Sequence, residues 1–277
     1  MMFAAPMPFR QALDAHELRT VLATNGNTAD FRALAALEPD ILRRAQFSAR
    51  TTSVELLQRY QDIESGLLSG QLDQASARLA IKELLAEMGY EPDPELAGGL
   101  QDLSSSDRIN LKLETDIATA RGAGWYEQGM QADVLDEWPA QELYRASTPE
   151  GGIKAERDWA QRWQDVGGEF HDNRMIALKT DPIWAALGDP ANFPDALGND
   201  WAPFAWNSGM RLRDISRDDA VNLGLIDDTT ELFPQPLDLN ADLQVSPEVR
   251  DAGLREVLSA TGLGEFEGDV FKFRPAV

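Results

Sequence analysis

The 277-residue chain contains no cysteine. Disulfides, thiolate nucleophiles and cysteine-based metal sites are therefore excluded, and the composition fits a reducing compartment. Histidine is nearly absent too: His16 and His171 are the only two, and they lie far apart in sequence. There is no Gly-x-Ser-x-Gly nucleophile elbow and no Walker loop. Gly122-Ala123-Gly124 lacks the pattern of a phosphate-binding turn, and Asp238 to Asp242 lacks the full spacing and terminal Glu of a calcium loop. Asn207-Ser208-Gly209 reads as a turn rather than a presented nucleophile. No cofactor and no metal site are expected. No apolar run approaches the length of a membrane span. The start, MMFAAPMPFRQALDAHELR, has no basic segment followed by an apolar one, so neither a membrane role nor a secretory signal is expected.

What is present is acid. The formal charge is −22, which argues against broad binding to nucleic acid through its phosphates. The charge is uneven: residues 1–60 hold seven Arg and Lys against six Asp and Glu, whereas 214–277 hold five against fourteen. Arg43, Arg44 and Arg50 form a candidate basic contact, local DNA included, although a solvated helix face explains them as well. Hydrophobic content of 43% suits a globular core.

Aromatic residues are concentrated. All seven tryptophans fall between Trp125 and Trp206. The densest stretch runs from Met175 to Ser216. A strand-like run ends at Asp181-Pro182, then a loop carries Trp184, Phe193, Trp201, Phe204 and Trp206. Ser208-Gly209 turns the chain into a second strand, Met210 to Ile215. Ordering so long a loop costs backbone entropy, so an ordered one is functional, an interface or a clamp on the fold. Asp181, Asp195 and Asp200 beside these aromatics suggest an alternative, a glycan hydrolase with paired carboxylates. The competing reading has them capping turns around packed rings.

The rest of the chain reads as α+β. Residues 1–30 read as an arm with a turn at Asn25-Gly26-Asn27. Phe31 to Arg50 carries a helical pattern. Thr52-x-x-Glu55 is a candidate capping box opening a helix with Leu56, Tyr60, Ile63 and Leu67 on one stripe, closed by Gly70. Asp73 caps a second helix with Ile81, Leu84, Leu85 and Met88, so the two form a helical hairpin. Asp107 starts a third helix through Ile109, Leu113, Ile117 and Ala120. The hairpin and third helix are expected to pack with a small aromatic-rich sheet, and Gly122 and Gly124 lower helix propensity unless packing compensates. Glu142 to Arg145 and Met175 to Lys179 read as strands, and Arg157 to Trp163 as a helical turn or two. Arg217 to Leu223 is a short helix closed by Gly224. Ser246-Pro247 starts a helix, and Glu267-Gly268-Asp269 turns a hairpin with Phe271 and Phe273 on one face. The expected division is an arm (1–30), a main domain (31–225) and a short acidic helix-and-hairpin appendage (226–277).

The order of these features from Arg43 to Ile226 resembles the head-morphogenesis, or minor capsid, family of tailed bacteriophages (the Mu gpF-like group). The resemblance is carried by Arg43-Arg44-Ala45-Gln46-Phe47-Ser48-Ala49-Arg50 with Ser53-Val54-Glu55-Leu56-Leu57, by the helix from Asn110 to Trp125, by Tyr144-Arg145, by Arg157-Asp158-Trp159 and by Asp181-Pro182-Ile183-Trp184. Ala202-Pro203-Phe204-Ala205-Trp206-Asn207-Ser208-Gly209-Met210 stands where the family has a Cys-Arg-Cys block, so no role of those cysteines carries over. The resemblance covers about two thirds of the chain. It implies a non-enzymatic minor protein of the virion head near the portal, present in the host cytoplasm during assembly. Its implied partners are portal or major capsid protein, with a role in head assembly or DNA delivery. Asp181, Pro182, Trp184, Pro203, Phe204, Trp206, Asn207 and Gly209 are the expected structural or interaction motif.

Overall fold

The computed structural model describes residues 9–21, 45–46, 48, 51, 53–146, 157–206, 208–235, 237, 252–260 and 264–273. They form an α+β fold: helices, together with one four-stranded antiparallel sheet and two small two-stranded ones. The chain divides into two compact units, residues 1–121 with 239–277, and residues 122–238.

The first unit is helical. Helix α1 (Arg10–Glu17) lies within the stretch expected as an arm, yet it buries Ala12, Ala15 and His16. Strand β1 (Thr20–Val21) pairs in parallel with β2 (Ala45–Gln46). Helical spacing placed Ala45 on a helix, and this long-range pairing overrides it. The remainder of that expected helix, 31–44, and the Asn25-Gly26-Asn27 turn lie outside the described residues.

Helix α2 (Val54–Leu68) is capped by Ser53, whose side chain accepts from the Leu56 N–H at 3.1 Å. The cap is thus one residue later than the Thr52-x-x-Glu55 spacing suggested. Helix α3 (Gln74–Glu87) is capped by Asp73, which accepts from Ser76 N–H at 2.9 Å. Gly70, between them, takes the positive φ of +76° that only glycine adopts readily. Helix α4 (Ser106–Gly129) begins on the Ser105 hydroxyl, which accepts from Arg108 N–H at 3.1 Å. Leu56, Tyr60, Ala77, Ile81, Leu85, Ile109 and Leu113 close into one apolar cluster, so the expected hairpin and third helix do pack together. Met88, expected on that face, is exposed instead. Near the C-terminus, a helix (Ala252–Ala260) and a β-hairpin (Gly264–Glu267 with Val270–Phe273) belong to this same unit. Phe271 is fully buried there, and Gly268 supplies the turn at φ +66°. Ser246-Pro247 falls outside the described residues.

The second unit is built on the sheet. After the last turns of α4 come α5 (Ala132–Glu137), β3 (Ala140–Arg145), α6 (Trp159–Asp165), β4 (Phe170–His171), β5 (Arg174–Leu178), α7 (Ile183–Gly188), β6 (Met210–Ile215) and α8 (Arg217–Asn222). The strand order is β4-β5-β3-β6, all antiparallel. Alternation along β3 and β5 gives the sheet two dressed faces. Ala140, Ile176 and Ile215 meet Ala220 and Ile226 on one. Leu143, Ala177 and Met210 meet the tryptophans on the other.

Candidate functional site

The Met175–Ser216 stretch proves to be a strand, a short helix, an ordered loop and a strand, folded around aromatic rings. Asp181 ends β5's turn by accepting the Ile183 N–H at 2.8 Å, and Pro182 follows at φ −63°, the value its ring enforces. Together they start α7, which puts Trp184 into the core. Its ring stacks on Phe204 (centroids 6.1 Å, interplanar 17°) and tilts against Trp163 (5.4 Å, 55°). Trp163, Trp184 and Phe204 are all almost completely buried.

Buried indoles need acceptors for their N–H groups. Trp184 Nε1 donates to Leu178 O at 2.7 Å, and Trp163 Nε1 donates to Glu169 O at 2.8 Å. Close backbone approach completes the packing. A Cβ on Gly188 would meet Asn199 O at 1.7 Å, and one on Gly168 would meet the Trp163 ring at 2.4 Å. Beneath the loop, a Cβ on Gly122 would meet Ala202 O at 2.1 Å. That explains why α4 runs through Gly122 despite its poor helix propensity.

Of the motif residues, Asp181, Pro182, Trp184 and Phe204 are thus joined in one packed frame. Pro203 follows a cis peptide bond, and its carbonyl accepts from Asn199 Nδ2 at 3.1 Å. Gly209 turns the chain at φ +68°, and its carbonyl accepts from Ala146 N–H at 2.9 Å. Trp206 is only half-buried; its backbone carbonyl accepts from Arg157 Nη1 at 2.7 Å. Asn207, Arg43, Arg44 and Arg50 lie outside the described residues. Not every tryptophan serves the core: Trp125 and Trp138 are exposed.

The carboxylates are committed to structure. Asp181 holds its turn. Asp195 is gripped by Arg157 Nε at 2.6 Å and Arg162 Nη2 at 2.7 Å. Arg162 also lies over the Trp159 and Phe193 rings at 5.2 and 4.7 Å. Asp200 also has an interaction partner. The paired-carboxylate geometry of a glycosidase, with both groups free to face one sugar, is not what these partners provide.

Two features were not singled out from the sequence. The first is a cleft of about 470 Å³ in the second unit. Trp163, Ile176, Leu178, Ile183, Ala186 and Leu225 give it apolar walls, and Glu169, His171 and Asp181 add polar groups. The second is a sealed ionic cluster in the first unit. Gln46 Nε2 donates to Glu64 at 2.7 Å and to Asp116 at 3.3 Å. Lys112 donates to Asp116 and stands 3.7 Å from Glu64. His16 Nε2 is 3.7 Å from Glu64 and 3.2 Å from Gln61 O, and Arg19 is 3.8 Å from Asp116.

Glu64 has no exposed surface, and burial drives its pKa well above the carboxylate range, with the Asp116 charge adding to the effect. Burial acts on Asp116 in the same sense, but Lys112, Arg19 and side-chain hydrogen bonding outweigh it and lower its pKa. The pKa values of the two carboxyls are thus pushed apart, Glu64 upward and Asp116 downward. Burial, aided by Arg19, lowers His16 to about 4, so it is neutral. Glu64 Oε1 and His16 Nδ1 have no hydrogen-bond partner among the described residues. Lys112 and Asp116, spaced i and i+4, were the one local signal, and that spacing looks the same on a solvated helix.

Among the described residues no group of three or more acidic or histidine side chains is placed to hold a metal ion, and no helix is long and apolar enough to cross a membrane. In comparisons with known proteins, no protein-family model, no curated protein and no solved structure matches this chain.

Proposed function

We propose that the chain is a structural protein of the head-morphogenesis type, a minor component of a tailed-bacteriophage head that binds portal or major capsid protein during head assembly or DNA delivery. The observation that carries the reading is the use made of the resemblance's own landmarks. Tyr144, Arg157, Asp181-Pro182-Ile183-Trp184 and Pro203-Phe204 all belong to one compact unit. There they serve as strand, ion-pair partner, helix start and stacked core.

The alternative, glycan hydrolysis, rested on Asp181, Asp195 and Asp200. A backbone cap and a two-arginine clamp occupy the first two, which favours the structural reading. The charge of −22 adds a property suited to a soluble assembly factor that meets a basic partner surface. Arg43, Arg44 and Arg50 remain the proposed place for any local DNA contact.

Co-expression with candidate portal and major capsid proteins, followed by purification on a tag carried by this chain, tests the proposal. Recovery of one of them as a stoichiometric complex supports it. A chain that purifies alone under every such pairing counts against it.

A further inference from the structure

The sheet of the second unit has an unfinished edge. In the ladder between β5 and β3, Lys179 N–H donates to Pro139 O at 2.8 Å. Residues 175, 177 and 179 therefore turn their backbone groups toward β3, and Ile176 and Leu178 turn theirs outward. Strand β4 meets only Arg174 and Met175, so it stops before the end of β5. The register sets the Ile176 N–H opposite Glu169, and the Leu178 carbonyl is taken by Asp181 N–H and Trp184 Nε1. Two groups are left, the Ile176 carbonyl and the Leu178 N–H. Among the described residues no strand lies beside them.

That edge lies in the cleft, where Ile176, Ala177 and Leu178 are lining residues. The walls come from both sides of the sheet: Trp163 and Ile183 on one, Leu225 on the other. The volume, about 470 Å³, is within the range of ligand sites. Glu169 and Asp181 add negative charge, in a chain already at −22.

We propose that this cleft binds an extended segment of a partner protein, bearing apolar and basic side chains, as a strand added to the edge of β5. In a parallel pair, one residue opposite Ala177 gives its N–H to the Ile176 carbonyl and takes the Leu178 N–H on its own carbonyl. An antiparallel strand would use the same two groups, as the widely spaced bonds flanking a residue set opposite Ala177, so the open edge accepts a strand of either direction. Apolar side chains fill the walled space, and a Lys or Arg reaches Glu169 or Asp181. The inference depends on the geometry of this unit and not on the virion assignment, so either can fail alone.

The test uses the full wild-type chain and the synthetic peptide acetyl-Lys-Val-Lys-Val-Lys-Val-Lys-amide. In the free chain, Leu178 N–H should exchange with solvent at least about tenfold faster than the Ala177 N–H that faces β3, because it lacks a partner. Saturating peptide should slow it by a similar factor. Two further peptides, N-methylated on every Val or on every Lys, each lose one backbone edge. One of them should bind about tenfold more weakly than the parent while the other does not, since a single edge is used. A Glu-for-Lys peptide should bind more weakly than either. Equal exchange of Leu178 and Ala177 in the free chain, absence of parent binding, binding indifferent to both methylations, or edge-to-edge dimerisation of the chain itself would overturn the proposal.

Discussion

The indole N–H of Trp184 donates to the carbonyl oxygen of Leu178 across 2.7 Å, tying the second residue of α7 to the strand the chain has just left. The same carbonyl also accepts from Asp181 N–H at 3.0 Å. One oxygen therefore closes the turn and fixes the ring that stacks on Phe204. Trp184→Ala should cost about 3–5 kcal/mol, as expected for a buried tryptophan. Trp184→Phe keeps most of the ring and loses the hydrogen bond, so it should cost less, with about 1 kcal/mol for the bond. Urea denaturation followed by tryptophan fluorescence and far-ultraviolet circular dichroism measures both.

Gly122 gives a prediction whose sign is set by packing. In an isolated helix Gly122→Ala would stabilise by about 1 kcal/mol. Here the added methyl meets the Ala202 carbonyl carbon side at 3.2 Å and its oxygen at 2.1 Å, both backbone atoms that cannot swing away. The substitution should instead destabilise, by about 1–3 kcal/mol. Thermal unfolding distinguishes the two signs.

Lys112 stands between Glu64 and Asp116 in the sealed cluster. Lys112→Met leaves the Asp116 charge buried with Arg19 as its remaining ion-pair partner, at 3.8 Å. A loss of roughly 3–5 kcal/mol is expected, the usual cost of breaking a buried pair. Denaturation midpoints at neutral pH check it.

The raised pKa of Glu64 gives a pH signature. Its pKa in the folded chain lies above the ordinary value of 4.5. As pH rises past that value the unfolded carboxyl ionises while the folded one keeps its proton, so stability falls until the folded group ionises too. Glu64→Gln removes this dependence. The stability of wild type relative to Glu64→Gln should therefore decrease with rising pH, by up to about 1.4 kcal/mol per pH unit. His16 works the other way: it is lowered from 6.5 to about 4, so its contribution is whole above 6.5 and is lost as pH falls through 4. A difference between wild type and Glu64→Gln that stayed flat with pH would show that Glu64 is ionised in the folded chain.

Local signals were legible in the sequence. Asp73 and Gly70 bound their helices as read, and β6 runs from Met210 to Ile215 as its pattern indicated. Each depends on a cap, a turn or an alternation that neighbouring residues carry by themselves. Helix α7 escaped notice because six residues hold too little periodicity, although Pro182 at its start is a helix-opening signal. Strand β2 was taken for helix because its pairing with Thr20–Val21 is long-range. The ionic cluster draws on His16, Gln46, Glu64, Lys112 and Asp116, four separate parts of the chain, and a charged residue heading for the interior looks in sequence like one on the surface. The open edge of β5 depends on where β4 stops, and a two-residue strand leaves no pattern.

The glycan-hydrolase alternative and the structural reading differ at Asp195. If Asp195 serves only to hold Arg157 and Arg162, Asp195→Asn should weaken the fold by about 1–3 kcal/mol, the cost of losing hydrogen bonds to charged groups. It should leave partner recovery unchanged once folded. Stability and co-purification measured on the same preparation test this directly.

The central claim is that this chain is a component of a phage head. Quantitative mass spectrometry of particles purified from cells that encode it, set against portal and major capsid peptides from the same particles, tests that claim most directly. The account expects the chain at a constant ratio to portal protein through successive density-gradient fractions. Particles complete in portal and capsid but devoid of the chain would contradict it.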